Sequence, residues 1–404
     1  MPRTFEKTHP WITFRADLSR SEPALWLNFG EAASKCEHLA GVPLRPATAD
    51  RLHQIYLAKG AAATTAIEGN TLSEAQVLQH IQGTLHLPPS MHYLQQEVDN
   101  IVRACNEIAG VIVGPSEDPH LCAELLCRYN RQVLEGLALD GDVKPGEVRA
   151  HSVVVGRIYR GAPPEDCAYL LERLCEWLNG KDFEQSEERY RIPFAILRAV
   201  LSHLYLAWIH PFGDGNGRTA RLLEFHLLLS AGVPLPAAHL LSDHYNRTRA
   251  EYYRQLDQAS KSGGEVLPFV RYAVQGFVDG LREQLQTVRE QQWQVAWENY
   301  VHDVFRHGKS SETQKRRRDL VLDLSTRTEF VEVSQIDQLT PRLARAYAGS
   351  KERTLQRDLN AIEELGLIER RHGKVRAVRE KILAFLPARA ASGPAPSTVA
   401  ASKR

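Results

Sequence analysis

No stretch of this 404-residue chain approaches the roughly 18 uninterrupted apolar residues that a membrane-spanning helix needs. The N-terminus mixes charges with aromatics and has no apolar leader core. These absences argue against membrane insertion and secretion. None of the six cysteines (Cys36, Cys105, Cys122, Cys127, Cys167, Cys175) stands in a Cys-x-x-Cys pair or a disulfide-framework spacing. Reduced, mostly buried thiols in a cytoplasm are the expectation. Net charge is almost absent as well, at +1, but the balance hides an asymmetry. Residues 1–300 hold 29 basic and 36 acidic side chains, and residues 301–404 hold 21 and 13. The basic excess therefore belongs to a separate C-terminal module. The length calls for two or three domains.

What is present is concentrated between residues 210 and 221, which read His-Pro-Phe-Gly-Asp-Gly-Asn-Gly-Arg-Thr-Ala-Arg. Upstream, Ile196, Val200 and Leu204 recur in steps of four, with Leu197 and Leu201 beside them, predicting a helix over 192–209 with one buried face. Pro211 ends it. Downstream, Leu222, Phe225 and Leu229 recur at helical spacing, so 213–217 is a tight loop feeding a helix N-terminus. Unpaired N–H groups and the helix dipole make such a junction an anion site. His210 has the side chain suited to proton transfer near neutral pH. Asp214 suits Mg²⁺ shared with phosphate oxygens, and equally a turn before glycine. Arg218 and Arg221, three apart, share a face on which guanidinium forks suit phosphate.

The segment resembles, at every defining position, the signature of the Fic family, His-x-Phe-x-Asp/Glu-Gly-Asn-Gly-Arg-x-x-Arg. That resemblance implies a mainly α fold, a Fic-type helical bundle with a short β-hairpin flap. It implies a protein adenylyltransferase that moves AMP from ATP to a Ser, Thr or Tyr hydroxyl of a protein target, with self-modification also open. His210 would be the base, Asp214 the Mg²⁺ ligand, and Gly213, Gly215, Asn216, Gly217, Arg218 and Arg221 the nucleotide contacts. Phe212 would anchor the loop in the core. Residues 144–149 and then 151–158 read as a turn and a hairpin broken at Gly156. In the family it looks like the flap that docks the target by strand addition, here through Ser152, Val153, Val154 and Val155. Residues 159–164 lead into an amphipathic helix ending near Trp177. Residues 242–253 resemble the family's late helix beside the nucleotide, but Thr248 stands where Asn is common, so no adenine contact is assigned to it.

A second pattern, Thr64-Thr65-Ala66-Ile67-Glu68-Gly69, matches the family's inhibitory motif Ser/Thr-x-x-x-Glu-Gly/Asn. Residues 58–67 are helix-prone, with Gly69 as C-terminal cap, which puts Glu68 in the last turn. A carboxylate there opposes the helix dipole by roughly 0.3–1 kcal/mol and calls for a cationic partner. The resemblance implies Arg221. Thr64 and Glu68 are accordingly the expected inhibitory residues.

Phe277, Leu281, Leu285 and Val288 continue at helical spacing toward Trp293 and Trp297. Their stripe packs either on the core or on a second subunit of a homodimer, with the core favoured. From Thr313 the pattern predicts a winged helix-turn-helix: a helix beginning at 320–324, a second over 333–339, and a third from a Ser350 cap to Leu365, closed by Gly366. A hairpin over 367–378 follows, turning at His372-Gly373. Lys351, Arg353 and Arg357 would face a DNA groove, and Arg370, Arg371, Lys374 and Arg376 would track phosphates from the wing. Contact with protein is the equal alternative. The organisation expected is an N-terminal helical region (1–110), a catalytic domain (111–275), a connecting helix (276–309), a winged helix-turn-helix domain (310–387) and a disordered tail (388–404). Two other functions stay open beside AMP transfer. One is removal of AMP, or transfer of another nucleotide or phospho-group, on the same fold. The other is a transcription regulator that senses nucleotide.

Overall fold

The computed structural model describes residues 3–114, 120–155, 159–185, 187–306, 311–348 and 352–383. Gly156, the Ser350 cap with Lys351, and the tail from Ala388 lie outside them. The chain divides into two compact units, residues 1–287 and 288–404.

The first unit is helical. Its helices are α1 (Thr4–Thr8), α2 (Pro23–Ala40), α3 (Pro46–Ile67), α4 (Glu74–Ile81), α5 (His92–Val113) and α6 (Ala123–Leu134). After β1 (Val154–Val155) and β2 (Tyr159–Arg160) come α7 (Pro164–Leu178), α8 (Arg191–Ile209), α9 (Asn216–Ser230), α10 (Leu240–Arg247) and α11 (Arg249–Lys261). Helix α12 (Leu267–Arg306) starts well before the connecting helix expected from residue 276. Residues assigned by sequence to an N-terminal region and to a catalytic domain share one hydrophobic core, from Phe5 to Leu281.

At the centre of that core α8 pairs with α9. The sequence predicted one buried face for α8. The helix is instead buried almost all round, because α2, α7, α9 and α11 pack against it. Among its buried polar groups, Ser202 Oγ donates to the Ala199 carbonyl at 2.7 Å and His203 Nε2 meets the Tyr252 hydroxyl at 2.9 Å. Helix α8 has the length and apolarity of a membrane span, and its place inside the core accounts for both. Helix α3 starts at Pro46 and presents Ala61, Ala62 and Ala63 to the core. At Gly60 it lies so close to the His239 ring that any Cβ would collide with it.

The predicted late helix is two helices. Thr248 breaks it with φ −119°, and its hydroxyl bonds the Tyr272 hydroxyl at 2.6 Å. The apolar stripe of α12 up to Leu281 lies in the core.

The second unit holds α13 (Glu312–Leu324), β3 (Val331–Glu332), α14 (Pro341–Tyr347), α15 (Glu352–Glu364), β4 (Ile368–Arg371) and β5 (Lys374–Ala377). Two expectations are corrected here. Residues 320–324 end their helix, which starts after Ser311, whose Oγ accepts from the Gln314 N–H at 3.2 Å. The polar first turns of that helix carry no apolar period, which hid its start. Residues 333–338 form a 3₁₀ turn, and the second helix starts at Pro341 after the Thr340 cap. The β4–β5 hairpin lies where expected, its turn at His372 and Gly373 both with positive φ, and β3 adds a third antiparallel strand on β5. The second unit has its own core around Trp297, Leu320, Ile336, Leu359 and Val375.

Candidate active site

Residues 210–217 form a strained turn held by their own side chains. His210 takes the left-handed conformation, φ 50° and ψ 59°, as α8 ends. That conformation is costly for a side-chain-bearing residue and is maintained by its surroundings. Asn216 closes the turn: its Oδ1 accepts from the Phe212 N–H at 2.9 Å and its Nδ2 donates to the Phe212 carbonyl at 2.8 Å. Phe212 is 1% exposed and pins the turn to the core, a burial that contributes roughly 1.5–3 kcal/mol. Gly215, at φ 76°, opens α9. Asn130 on α6 supports it from below, donating to the Asp214 carbonyl at 2.8 Å and accepting from Gly146 N–H at 2.9 Å.

The base expected at position 210 is neutral. Burial pushes its pKa down to about 4, and the Arg149 charge acts in the same direction. Nδ1 faces the Ala207 carbonyl at 3.4 Å, which can only accept, so the neutral ring carries its proton on Nδ1 and leaves Nε2 as a lone pair. His210 lines a cavity of about 480 Å³ together with Glu68, Gly217, Tyr159, Tyr252 and Tyr253. A small-molecule site has this size and this mix of apolar walls with few polar groups. Behind it, His203 Nδ1 lies 3.0 Å from Glu224 Oε2, and the Tyr245 hydroxyl donates to Glu224 Oε1 at 2.8 Å.

Both arginines of the loop are buried and both face carboxylates. Arg221 Nη2 donates to Glu68 Oε1 at 2.6 Å and to the Thr64 carbonyl at 3.0 Å. Thr64 thus contributes its carbonyl. Burial works against the Glu68 charge, but the Arg221 charge and hydrogen bond, with the Arg218 charge, outweigh it and hold the carboxyl below its usual range. A Cβ placed on Gly217 would land on the Glu68 carboxylate and 3.1 Å from Arg221 Nη1. The carboxylate therefore lies directly over the first turn of α9, where an anion is best received. Arg218 Nη2 lies 3.1 Å from Asp214 Oδ1, and its Nη1 lies 3.7 Å from Glu97 Oε1 on α5.

Sequence reasoning missed several groups. Helix α3 ends at Ile67, one residue before Glu68, and Arg249 of α11 takes its last carbonyls, Ala66 at 3.1 Å and Ile67 at 2.5 Å. The opposing dipole is thus met by a second cation. Glu97 links Arg218 to Asn70, whose Nδ2 donates to Glu97 Oε2 at 2.8 Å. Glu97, Asn130 and Arg149 had no local signal, because each acts on chain distant in sequence.

Asp214 is half-exposed, and its Oδ1 also accepts the Gly215 N–H at 2.5 Å. Among the described residues no three His, Cys, Asp or Glu side chains cluster as a metal site. A lone carboxylate fits Mg²⁺, which takes one or two protein oxygens and completes its shell with water and phosphate. Ser152 and Val154 are exposed, and Val153 and Val155 are half-buried, so the expected flap alternates as a strand does. Strand β1 pairs with β2 in the register Val154 to Arg160 and Val155 to Tyr159, two residues later on the return than the sequence placed it.

Residues 120–228 match the profile of the Fic/DOC family. Among curated proteins, the chain is 32% identical over 212 residues to protein adenylyltransferase fic-1 of Caenorhabditis elegans, covering 52% of this chain and 37% of that one. It is 32% identical over 212 residues to protein adenylyltransferase Fic of Nematostella vectensis, covering 52% and 44%. The chain spans less than half the length of these curated relatives. Among solved structures, a Fic family protein from Desulfovibrio desulfuricans superposes with TM-score 0.53 at 22% identity, over 88% of this chain and 96% of that one. Fic-1 of C. elegans superposes with TM-score 0.52 at 24% identity, over 66% and 74%. These likenesses establish the fold.

Proposed function

We propose that the chain transfers AMP from ATP to a hydroxyl side chain of a protein target and that Glu68 holds it in check. The observation that carries this reading is the meeting, in one cavity, of the neutral His210 imidazole with Asn216 and Gly217 at the start of α9, the helix that also carries the two buried arginines Arg218 and Arg221. The triphosphate lies on Gly215, Asn216 and Gly217, with Arg218 and Arg221 on its outer phosphates. Asp214 would hold Mg²⁺ together with phosphate oxygens, and the ion would supply neutralisation of charge on the leaving group. A target strand added to the free edge of β1 brings its hydroxyl to His210. The hydroxyl oxygen bonds to the α-phosphorus, its proton passes to Nε2, and the bond from that phosphorus to pyrophosphate breaks. Positioning and charge provide the rate, since the transfer needs no covalent help from the protein.

Glu68 blocks this arrangement twice, by occupying the anion position over Gly217 and by engaging Arg221. A tenfold repression needs only about 1.4 kcal/mol of preference for the closed pair. The test is labelling: α-labelled ATP should mark protein and γ-labelled ATP should not.

We further read the second unit as a winged helix-turn-helix that contacts protein. What supports this choice over nucleic acid is the pairing of its wing. Arg370 meets Glu363, Arg371 and Arg376 meet Glu369, and Lys374 meets Glu332. Charges already neutralised within the unit release few counterions from DNA.

A further inference from the structure

Four successive carbonyls at the end of α8 are all taken by the hairpin segment. The Trp208 carbonyl accepts from the Tyr159 hydroxyl at 2.8 Å and the Ile209 carbonyl from the Ala162 N–H at 3.2 Å. The His210 carbonyl accepts from Arg149 Nε at 2.7 Å and the Pro211 carbonyl from the Arg149 N–H at 2.9 Å. A helix end otherwise leaves such acceptors to water. Arg149 does more. Its Nη1 donates to the His151 carbonyl at 2.6 Å, before β1, and its Nη2 to the Ala162 carbonyl at 2.5 Å, after β2. One buried guanidinium, 5% exposed, therefore ties both ends of the hairpin to the turn that carries His210. Gly161 lets the three meet: a Cβ there would stand 2.9 Å from both Arg149 Nη2 and His210 Cβ.

We propose that Arg149 is the positioning residue for the His210 base and that it couples the target-docking hairpin to that base. The inference rests on the proposed AMP transfer. A target strand on β1 fixes the hairpin, and the three-carbonyl fork passes that order to a residue in a conformation it would not hold alone. Five donors in a rigid plane suit this task, and an ammonium on a flexible stem does not. The permanent charge has a second effect, disfavouring a proton on the imidazole. Glu68 and Asp214 act in the opposite sense, and the Ala207 carbonyl also favours the protonated ring.

The experiment uses the full chain carrying Glu68→Gly, with Arg149→Met and Arg149→Lys made in that background and His210→Ala in parallel. In Arg149→Met, kcat for AMP transfer should fall about a hundredfold, while half-saturation by ATP moves less than about threefold. Arg149→Lys should stay at least about tenfold impaired, because one ammonium cannot serve three carbonyls. The NMR titration of the His210 imidazole should move to higher pH in Arg149→Met and stay in place in Arg149→Lys. Thermal melting establishes that each variant is folded, and Arg149→Lys carries the kinetic arm if Arg149→Met is not. The proposal is overturned if kcat stays within about threefold in the folded variants, or if the whole loss appears in half-saturation by target. An unmoved titration in folded Arg149→Met also overturns it. If His210→Ala keeps full transfer, the base assignment fails instead, and the titration alone then judges the coupling of Arg149 to His210.

Discussion

The Glu68 carboxylate and the Arg221 guanidinium lie 153 residues apart in the chain and 2.6 Å apart in the fold. The pair closes over Gly217, so the group that neutralises the buried arginine also covers the position best suited to a phosphate. One contact thus neutralises a buried charge and covers the start of α9 together.

Removing the carboxylate should therefore release activity. Glu68→Gly should raise self-labelling from α-labelled ATP at least about tenfold, equivalent to about 1.4 kcal/mol of lost competition, and adding Arg221→Ala should cancel the gain. If Glu68→Gly leaves transfer unchanged but stops removal of AMP from a pre-modified target, Glu68 is a base for water and the hydrolytic function is the correct one.

His210→Ala should lower transfer by about 10²–10⁴-fold with little change in nucleotide affinity, because the imidazole takes a proton and touches no phosphate. The pH profile carries a further expectation. With the pKa pushed down to about 4, the ring stays in its basic form throughout the range from neutrality to near pH 5. A rate that falls with an apparent pKa near 6.5 would show that the base is a solvated histidine and not this one.

His239 should set part of the acid sensitivity of stability. Its ring stacks on Phe225 at 4.6 Å, is buried, and has its pKa pushed down to about 3, first by burial and then by His53. The unfolded chain binds a proton near pH 6.5 that the folded protein refuses, so stability present above that pH is lost as pH falls toward 3. Melting temperatures of the parent should drop across this window, and those of His239→Phe should drop less. Parallel curves for the two proteins would refute the assignment.

Gly60→Ala tests the seat of α3, the helix that leads into Glu68. Its Cβ enters the His239 ring, an overpacking that costs about 1–3 kcal/mol against a gain of about 1 kcal/mol in helix propensity. We expect a lower melting temperature and, on the proposed inhibition, partial release of transfer, since Glu68 directly follows α3. A more stable and equally repressed protein would show that the helix shifts at no cost.

For the second unit, full-length protein should bind duplex DNA weakly and show little dependence on salt. Salt-dependent binding whose slope drops by about 2 in Arg353→Ala/Arg357→Ala, at about 0.9 per phosphate contact, would instead assign the unit to nucleic acid.

The loop over residues 210–217 was legible in the sequence because it is local. Asn216 bonds Phe212 four residues away, Thr219 Oγ1 bonds the Gly215 carbonyl four residues away, and the apolar period of α8 stops at a proline. Such contacts need only the chain's own geometry, so residue types and spacing carry them. The β4–β5 hairpin was legible for the same reason, and Gly366 marked the end of α15. The Thr340-Pro341 cap was equally local and was overlooked, so the second helix of that unit was placed too early.

What the tertiary structure alone decided is which charge meets which. Arg149 reaches carbonyls 2, 13 and 61 residues away, Asn70 reaches Glu97, and Arg249 caps a helix that ended 182 residues earlier. An arginine in the sequence reads the same whether it tracks phosphate, as the wing was expected to, or is paired with an acid at home. Its partner is chosen when the core brings helices together, because a buried guanidinium must then be neutralised by the carboxylates or carbonyls that the packing delivers. Sequence period marked where the helices of the core run, and packing determined how much of each is buried and which ions it traps.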